Sequence, residues 1–99
     1  MGCSYQVITL EPSLDCQEVC RGCTFTHSVS ARSAGDDCLY MWTVTRTCPS
    51  GTPQTWQGHE AVACGTTKSI TFYCDDNEQC ARLRIVLSPD PCPIDPQGN

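Results

Sequence analysis

The sequence has little positive charge. Six Lys and Arg residues against eleven Asp and Glu residues give a net charge of −5. Nucleic acids, heparin-like polymers and anionic bilayers are bound through clustered positive charge, so we exclude them as partners. No apolar run approaches the roughly 18 residues that a membrane-spanning helix needs. The composition therefore points away from nucleic-acid binding and from membranes.

Ordinary apolar side chains are also scarce. Only 7% of the residues are aromatic, and the hydrophobic fraction of 39% includes ten cysteines. Ten cysteines in 99 residues is the density of a disulfide scaffold. Each bridge stabilises such a domain by about 2–4 kcal/mol, because it restricts the unfolded chain. We therefore expect one domain, residues 1–99, in which every cysteine is paired: Cys3, Cys16, Cys20, Cys23, Cys38, Cys48, Cys64, Cys74, Cys80 and Cys92.

Disulfides persist in oxidising compartments, so we expect a secreted, extracellular protein. The chain passes from Met1-Gly2 straight into Cys3, with no signal peptide. We take Met1 as a start codon placed before a mature sequence whose leader has been removed. There is no N-x-S/T sequon, so we do not expect N-glycosylation.

The stretch from Cys23 to Cys48 organises the predicted fold. Small hydroxyl residues alternate along its first half, which is typical of a strand with one wet face. Turn formers at residues 33–37 include Gly35, which adopts positive φ at little cost. The pattern predicts a long antiparallel hairpin, Thr24–Ala31 with Cys38–Thr47, joined by disulfides at its ends, and we expect Trp42 in the core. Cys38 and Cys48 lie roughly 33 Å apart on one strand at about 3.3 Å per residue, so they cannot pair with each other.

A first strand and a short helix precede the hairpin. We predict the strand at Ser4–Leu10 and the helix at Ser13–Arg21, with Ser13 as N-cap and Gly22 as the stop. Cys16 and Cys20 lie four residues apart and share a face of that helix. We expect them to tie the helix to the sheet rather than to bond to each other.

The chain after the hairpin contains more turn signals. Two prolines and two glycines predict a long loop at Pro49–His59, with Trp56 near its middle. We place further strands at Glu60–Cys64, Ser69–Cys74 and Cys80–Ser88. The alternative for the beginning of the Cys80–Ser88 segment is a helical turn, capped by Asp75 and Glu78, that runs through Arg82. Cys74 and Cys80 could close the final hairpin. The Pro-rich tail, residues 89–99, is expected to be extended and pinned by Cys92.

These elements predict an α+β fold: a small disulfide-rich domain in which one short helix packs on an antiparallel sheet of about five strands. An unprotected edge strand such as Ser69–Cys74 would allow antiparallel pairing across a two-fold axis, so a homodimer is a further hypothesis.

Two chemical constellations compete with a purely structural interpretation. Cys16, Cys20, Cys23 and His27 have the ligand types and part of the spacing of a zinc site. We favour three half-cystines and a strand histidine, because the expected compartment is oxidising, and we predict no metal and no cofactor.

A histidine–carboxylate or histidine–histidine pair, His59 with Glu60 or with His27, would suit a small ribonuclease. Adjacent residues on a strand point to opposite faces, however. The chain also has no nucleophile elbow, phosphate loop or zinc-protease motif. We predict that the protein is not an enzyme, with a small secreted hydrolase such as a ribonuclease as an alternative.

Trp56 is the main candidate binding residue. Indole is costly to expose, and tryptophan is enriched among interface hot spots. We place the candidate binding site at Trp56 with Thr55, Gln57 and His59; the alternative is that Trp56 folds back and caps the core. A second open function is a protease inhibitor that presents the Cys48–Cys64 segment as an exposed loop.

The size, the even cysteine count, the Ser/Thr-rich strands and the lack of an enzyme motif resemble the small secreted cysteine-rich effectors and elicitors of plant-associated fungi, Trichoderma among them. The resemblance implies a protein that modulates host defence by binding an extracellular host protein or receptor. Some such proteins resemble killer toxins with a βαββαβ sandwich. The predicted strand, helix and two strands fit the first half of that plan, and the Pro49–His59 loop stands where its second helix would begin.

Overall fold

The computed structural model describes residues 3–89 and shows two three-stranded antiparallel sheets packed face to face. The strands are β1 (Cys3–Thr9), β2 (Thr24–Ala34), β3 (Asp37–Thr47), β4 (Gln54–Ala63), β5 (Lys68–Tyr73) and β6 (Ala81–Pro89). One sheet has the order β1-β6-β5 and the other has the order β2-β3-β4. The expected disulfide-rich antiparallel architecture is confirmed, but the single sheet of about five strands is wrong.

The error arises from the segment predicted as a loop at Pro49–His59. Only residues 48–53 are irregular, and β4 pairs with β3 from Gln54 to Ala63. Gly58, which the sequence suggested as a turn residue, lies within β4, where the Trp42 indole leaves no room for a side chain. A Cβ at residue 58 would lie 2.6 Å from Trp42 Cζ2. A glycine inside a strand often marks such a close approach.

The predicted β2–β3 hairpin is confirmed. Its register runs from Thr24 opposite Thr47 to Ala34 opposite Asp37, so β2 extends three residues beyond the predicted Ala31. Gly35 has a φ of +64° at the first position of a two-residue loop, as in a type II′ turn.

Disulfides fix both ends of β3. Cys23 bonds to Cys48 at the open end of the hairpin. Cys38 bonds to Cys3 and so joins the two sheets. Cys38 and Cys48 are therefore not paired with each other, as their separation along one strand requires.

The predicted helix is present but shorter than Ser13–Arg21. A 3-10 turn (Leu14–Cys16) leads into a single-turn helix, α1 (Gln17–Cys20). Ser13 occupies the N-cap position, as predicted, and its carbonyl accepts from the Cys16 N–H at 2.9 Å, but its side chain makes no capping hydrogen bond. Gly22, with a φ of +74°, follows the helix as expected.

Two disulfides tie this helical segment to the connection between β5 and β6. Cys16 bonds to Cys80, and Cys20 bonds to Cys74, so the predicted attachment of the helix is confirmed. The predicted Cys74–Cys80 closure is wrong. The connection is closed by hydrogen bonds instead: the Cys74 N–H donates to the Cys80 carbonyl at 2.7 Å, and the Asp75 carboxylate accepts from the Cys80 N–H at 2.7 Å. The alternative helical turn from Asp75 to Arg82 does not form.

The core lies between the two sheets. It comprises Cys38, Tyr40, Val44, Val62, Phe72, Leu83, Ile85 and Leu87. The predicted alternation of β6 is confirmed, because Leu83, Ile85 and Leu87 are buried while Arg82 and Arg84 are only partly so. Trp42 packs on the margin of this core, with its ring edge-on to Phe72 at 5.4 Å between centroids.

Four disulfides are present among residues 3–89, and no cysteine of that range is free. Pro89, expected to begin an extended tail, is the buried last residue of β6. The predicted role of Cys92 lies outside the described residues. The order strand, helix, strand, strand matches the first half of the killer-toxin plan, and three strands with no second helix follow it up to Pro89.

Candidate functional site

The β2–β3–β4 sheet turns one face toward the core and the other toward solvent. Directly opposite residues in antiparallel strands point to the same face. Tyr40, Val44 and Val62 are buried, so the residues of opposite parity form what we call the outer face. Its four central rows are Thr26–Thr45–Thr55, Ser28–Thr43–Gln57, Ser30–Met41–His59 and Arg32–Leu39–Ala61.

One half of the outer face consists of small hydroxyl residues. The alternation predicted for Thr24, Thr26, Ser28 and Ser30 is confirmed, and β3 continues the pattern across the sheet. The Oγ1 atoms of Thr45 and Thr55 lie 3.0 Å apart, within hydrogen-bond distance of each other. This half is a polar surface fixed on a regular strand lattice.

The other half is apolar at its centre. The Met41 side chain is 63% exposed near the middle of β3, and Leu39 and Ala61 lie beside it. A depression of about 460 Å³ lies at this point, and its lining comprises these three residues together with Ser30, Ala31, Arg32, Tyr40, His59 and Glu60. Unbranched, polarisable methionine side chains adapt to varied contact surfaces. An apolar centre within a polar rim is the usual anatomy of a protein–protein interface.

The structure separates the predicted binding residues. Thr55, Gln57 and His59 are exposed on the outer face, whereas Trp56 lies between them in sequence and points to the other side of the sheet. The Trp56 ring lies 5.6 Å from the buried Phe72 ring, and the Arg46 guanidinium sits 5.3 Å from the Trp56 centroid. Trp56 therefore caps the core, which was the alternative interpretation.

Arg46 is itself held in place. It donates to the Tyr73 carbonyl at 3.1 Å and to the Asp76 carboxylate at 2.8 Å, and its side chain is only 11% exposed. The guanidinium thus connects β3 to the β5–β6 connection while it covers Trp56. These contacts give Arg46 and Trp56 a structural role on this side of the molecule.

The residues considered for acid–base catalysis do not meet. His27 is opposite Val44 and so shares the inner-face parity, whereas His59 is on the outer face. Glu60 points away from His59, as expected for neighbours on a strand, and its carboxylate lies 3.6 Å from Lys68 Nζ. The geometry brings neither His27 nor Glu60 to His59.

Two further alternatives lose their structural basis. The three cysteines of the zinc hypothesis, Cys16, Cys20 and Cys23, belong to three different disulfides. Within residues 3–89, no group of three metal-ligating side chains could hold an ion. The segment from Cys48 to Cys64 is mostly β4, and Cys48 is bonded to Cys23, so this segment is not the exposed loop of the inhibitor hypothesis.

The shifted ionisable groups lie away from the outer face. Burial raises the pKa of Tyr40, whose hydroxyl donates to the Ser4 carbonyl at 2.6 Å and so connects β3 to β1. Partial burial opposes the ionisation of Asp75, but backbone N–H donors, those of Cys80 and Gln79 first, outweigh it and lower the pKa of this carboxyl. Both groups stabilise the fold.

Within the described part of the chain, no helix is long and apolar enough to cross a membrane. Comparison with protein families, with curated proteins and with solved structures finds no match to this chain. The outer face is therefore the feature of the described residues from which we infer a function.

Proposed function

We propose that this protein is a secreted, non-enzymatic effector or elicitor that modulates host defence by binding an extracellular host protein through the outer face. The four disulfides support the extracellular part of the proposal, because such bridges persist in oxidising compartments.

The observation that carries the proposal is the exposure of Met41. It is 63% exposed on the central strand of its sheet and belongs to neither hydrophobic cluster of residues 3–89. Complete burial of a methionine side chain in a complex contributes about 1.5–3 kcal/mol. An exposed apolar group at the centre of a polar face is therefore a candidate anchor.

The outer face is also rigid. β3 is hydrogen-bonded to a strand on each side, and disulfides hold Cys38 at its beginning and Cys48 just beyond its end. A surface on such a strand loses little conformational freedom on binding, so more of the contact energy appears as affinity.

Charge favours a protein as the partner. The outer face carries only two formally charged residues, Arg32 and Asp37. Depletion of charge around an apolar centre is typical of protein–protein interfaces, whereas polyanions require clustered basic residues.

The test compares two substitutions of exposed apolar residues. Met41→Glu places a carboxylate at the centre of the outer face, and Val19→Glu places one on α1, where the side chain is 45% exposed. The immobilised wild type should capture a protein from host extracellular fluid, and its application to host tissue should induce an oxidative burst.

We expect Met41→Glu to weaken capture by about tenfold or more, which corresponds to about 1.4 kcal/mol, and to reduce the burst in parallel. Val19→Glu should behave as the wild type. Equal capture by both variants, or no burst with any of the three proteins, would overturn the proposal.

A further inference from the structure

Sheet edges present unpaired backbone N–H and C=O groups that can pair with another chain. Natural proteins protect these edges with very short strands, bulges, prolines, charged side chains (lysine above all), inward-pointing charges, or a covering helix or loop. Within residues 3–89, four strands lie at sheet edges: β1, β5, β2 and β4. They differ in how well they are protected.

The other three edges are shorter than β2, and two of them carry protection. β1 has seven residues, and β5 has six, begins at Lys68 and shifts register between Phe72 and Tyr73. β4 carries an inward-facing carboxylate, Glu60, which pairs with Lys68. The edge first suspected from the sequence, Ser69–Cys74, is therefore protected by shortness, charge and a register shift.

β2 is the longest of the four edges and the least protected. It has eleven residues, contains no proline, lysine or carboxylate, has Arg32 as its single Lys, Arg, Asp or Glu residue, and pairs with β3 in unbroken register. Nine of its eleven side chains are exposed, all but Phe25 and Val29. Its threonines, serines and valine suit an extended, half-exposed strand.

The geometry of the β2–β3 turn determines which backbone N–H and C=O groups of β2 are not hydrogen-bonded to β3. In a two-residue loop the flanking pair, Ala34 and Asp37, is hydrogen-bonded, and hydrogen-bonded and open positions alternate from there. The open positions of β2 are therefore Phe25, His27, Val29, Ala31 and Ser33. Their N–H and C=O groups point away from β3.

We propose that β2 pairs antiparallel with β2 of a second copy of this chain, across a two-fold axis at Val29. Only with the axis at Val29 do all eleven residues of one β2 strand lie opposite residues of the other. It places Ser28 opposite the partner's Ser30, and His27 opposite the partner's Ala31.

Charge does not oppose the pairing, because Arg32 lies opposite the partner's Thr26, and like charges never face each other. Each inner-face residue lies opposite an inner-face residue, as an isologous interface requires.

The pairing would join two β2–β3–β4 sheets into one six-stranded sheet. A two-fold axis perpendicular to the sheet keeps both outer faces on the same side, so the assembly would present this face twice. This inference depends on the backbone groups at the β2 edge and not on what the outer face binds.

Two substitutions at Ala31 test the interface. Ala31→Lys adds the charge with which natural edges are protected, and Ala31→Pro removes an N–H that points away from β3. The matched control is Ala61→Lys, an exposed alanine on the edge strand β4. Sedimentation velocity over a wide concentration range measures association, amide hydrogen exchange locates it, and circular dichroism monitors the fold.

The wild type and Ala61→Lys should form dimers, with concentration-dependent protection of the β2 amides. Both Ala31 variants should dissociate at least about tenfold more readily, a loss of about 1.4 kcal/mol, with unchanged circular dichroism. If Ala31→Pro perturbs the fold, Ala31→Lys decides alone. A wild type that stays monomeric, an Ala31→Lys variant that dimerises like the wild type, or loss of dimer in Ala61→Lys would overturn the inference.

Ala61 belongs to the outer face, so the same control separates the two proposals. Ala61→Lys should impair capture of the host protein without affecting the dimer.

Discussion

Gly58→Ala is the substitution for which the structure makes the sharpest prediction. Gly58 lies in the middle of β4, and its φ is not positive, so the backbone itself accepts alanine. The added methyl group, however, would lie 2.6 Å from Trp42 Cζ2 and 3.0 Å from Trp42 Cε2. Carbon atoms in contact are normally about 3.5–4.0 Å apart. The indole would have to move by about 1 Å.

That movement is resisted on the far side of the ring. The Trp42 indole lies edge-on against Phe72, which is 4% exposed and belongs to the core. Overpacking of this kind costs about 1–3 kcal/mol. Replacing glycine by alanine also restricts the unfolded chain, which favours folding by about 0.4–1 kcal/mol. The steric cost is larger, so we expect a net loss of about 1–2 kcal/mol.

Thermal unfolding with the disulfides intact measures this loss. For a domain of this size, 1 kcal/mol corresponds to about 4–8 °C, so Tm should fall by roughly 4–16 °C. The matched background is Trp42→Phe, which removes Cζ2 and also the Trp42 Nε1 group, a buried donor with no partner in the described structure. In the Trp42→Phe background, the loss in free energy of unfolding caused by Gly58→Ala should be smaller than in the wild type by at least about 0.5 kcal/mol.

Two results would refute the reasoning. One is a Gly58→Ala variant as stable as the wild type. The other is the same loss of stability in the wild-type and Trp42→Phe backgrounds, since the cost would then not come from the contact between Gly58 and Trp42.

Two other predictions concern hydrogen bonds of the fold. Tyr40→Phe removes the bond from a fully buried hydroxyl to the Ser4 carbonyl and should lower the free energy of unfolding by about 1–2 kcal/mol. The loss is measured as a shift of the denaturant midpoint at constant m. The control is Tyr5→Phe, which alters a residue that is 44% exposed and should have no effect. The folded pKa of Asp75 lies below 3.8, so the stability that its carboxylate contributes is complete above pH 3.8 and is lost as the pH falls through the folded pKa. Asp75→Asn should therefore lose stability at neutral pH and depend less on pH in the acid range than the wild type; parallel acid unfolding curves for the two proteins would contradict this.

The elements that the sequence predicted well are those whose signals are local. The β2–β3 hairpin follows from alternation on both sides of a glycine turn, and β6 follows from the alternation of Leu83, Ile85 and Leu87 with arginines. The attachment of the helix by Cys16 and Cys20 follows from their common face. In each case the deciding residues are neighbours in sequence.

The elements that failed depend on distant contacts. Gly58 looks like a turn residue until the Trp42 indole is placed over it, and without β4 the strands cannot be divided into two sheets. The partners of Cys74 and Cys80 also depend on where α1 docks. Local pattern cannot supply these contacts, because each requires the sheets to be assembled first.

The candidate site was predicted in part. The hydroxyl half of the outer face was visible in the alternation of β2, and Thr55, Gln57 and His59 do lie on that face. Trp56 drew attention as the largest side chain of the segment, but size favours burial as much as binding. The signal that was missed is Met41, which has the same strand parity as Thr43 and Thr45 and is thus an apolar residue in a polar row.

The groups that stabilise this protein lie apart from the outer face, the surface that we propose for recognition. The buried core residues lie between the sheets, and the disulfides connect strand ends and the helix, so none of these groups projects from the outer face. Exposed substitutions away from such features usually change stability by no more than about 0.5 kcal/mol. The side chains around Met41 can therefore vary without loss of the fold, and a binding defect in Met41→Glu would report on recognition rather than on unfolding.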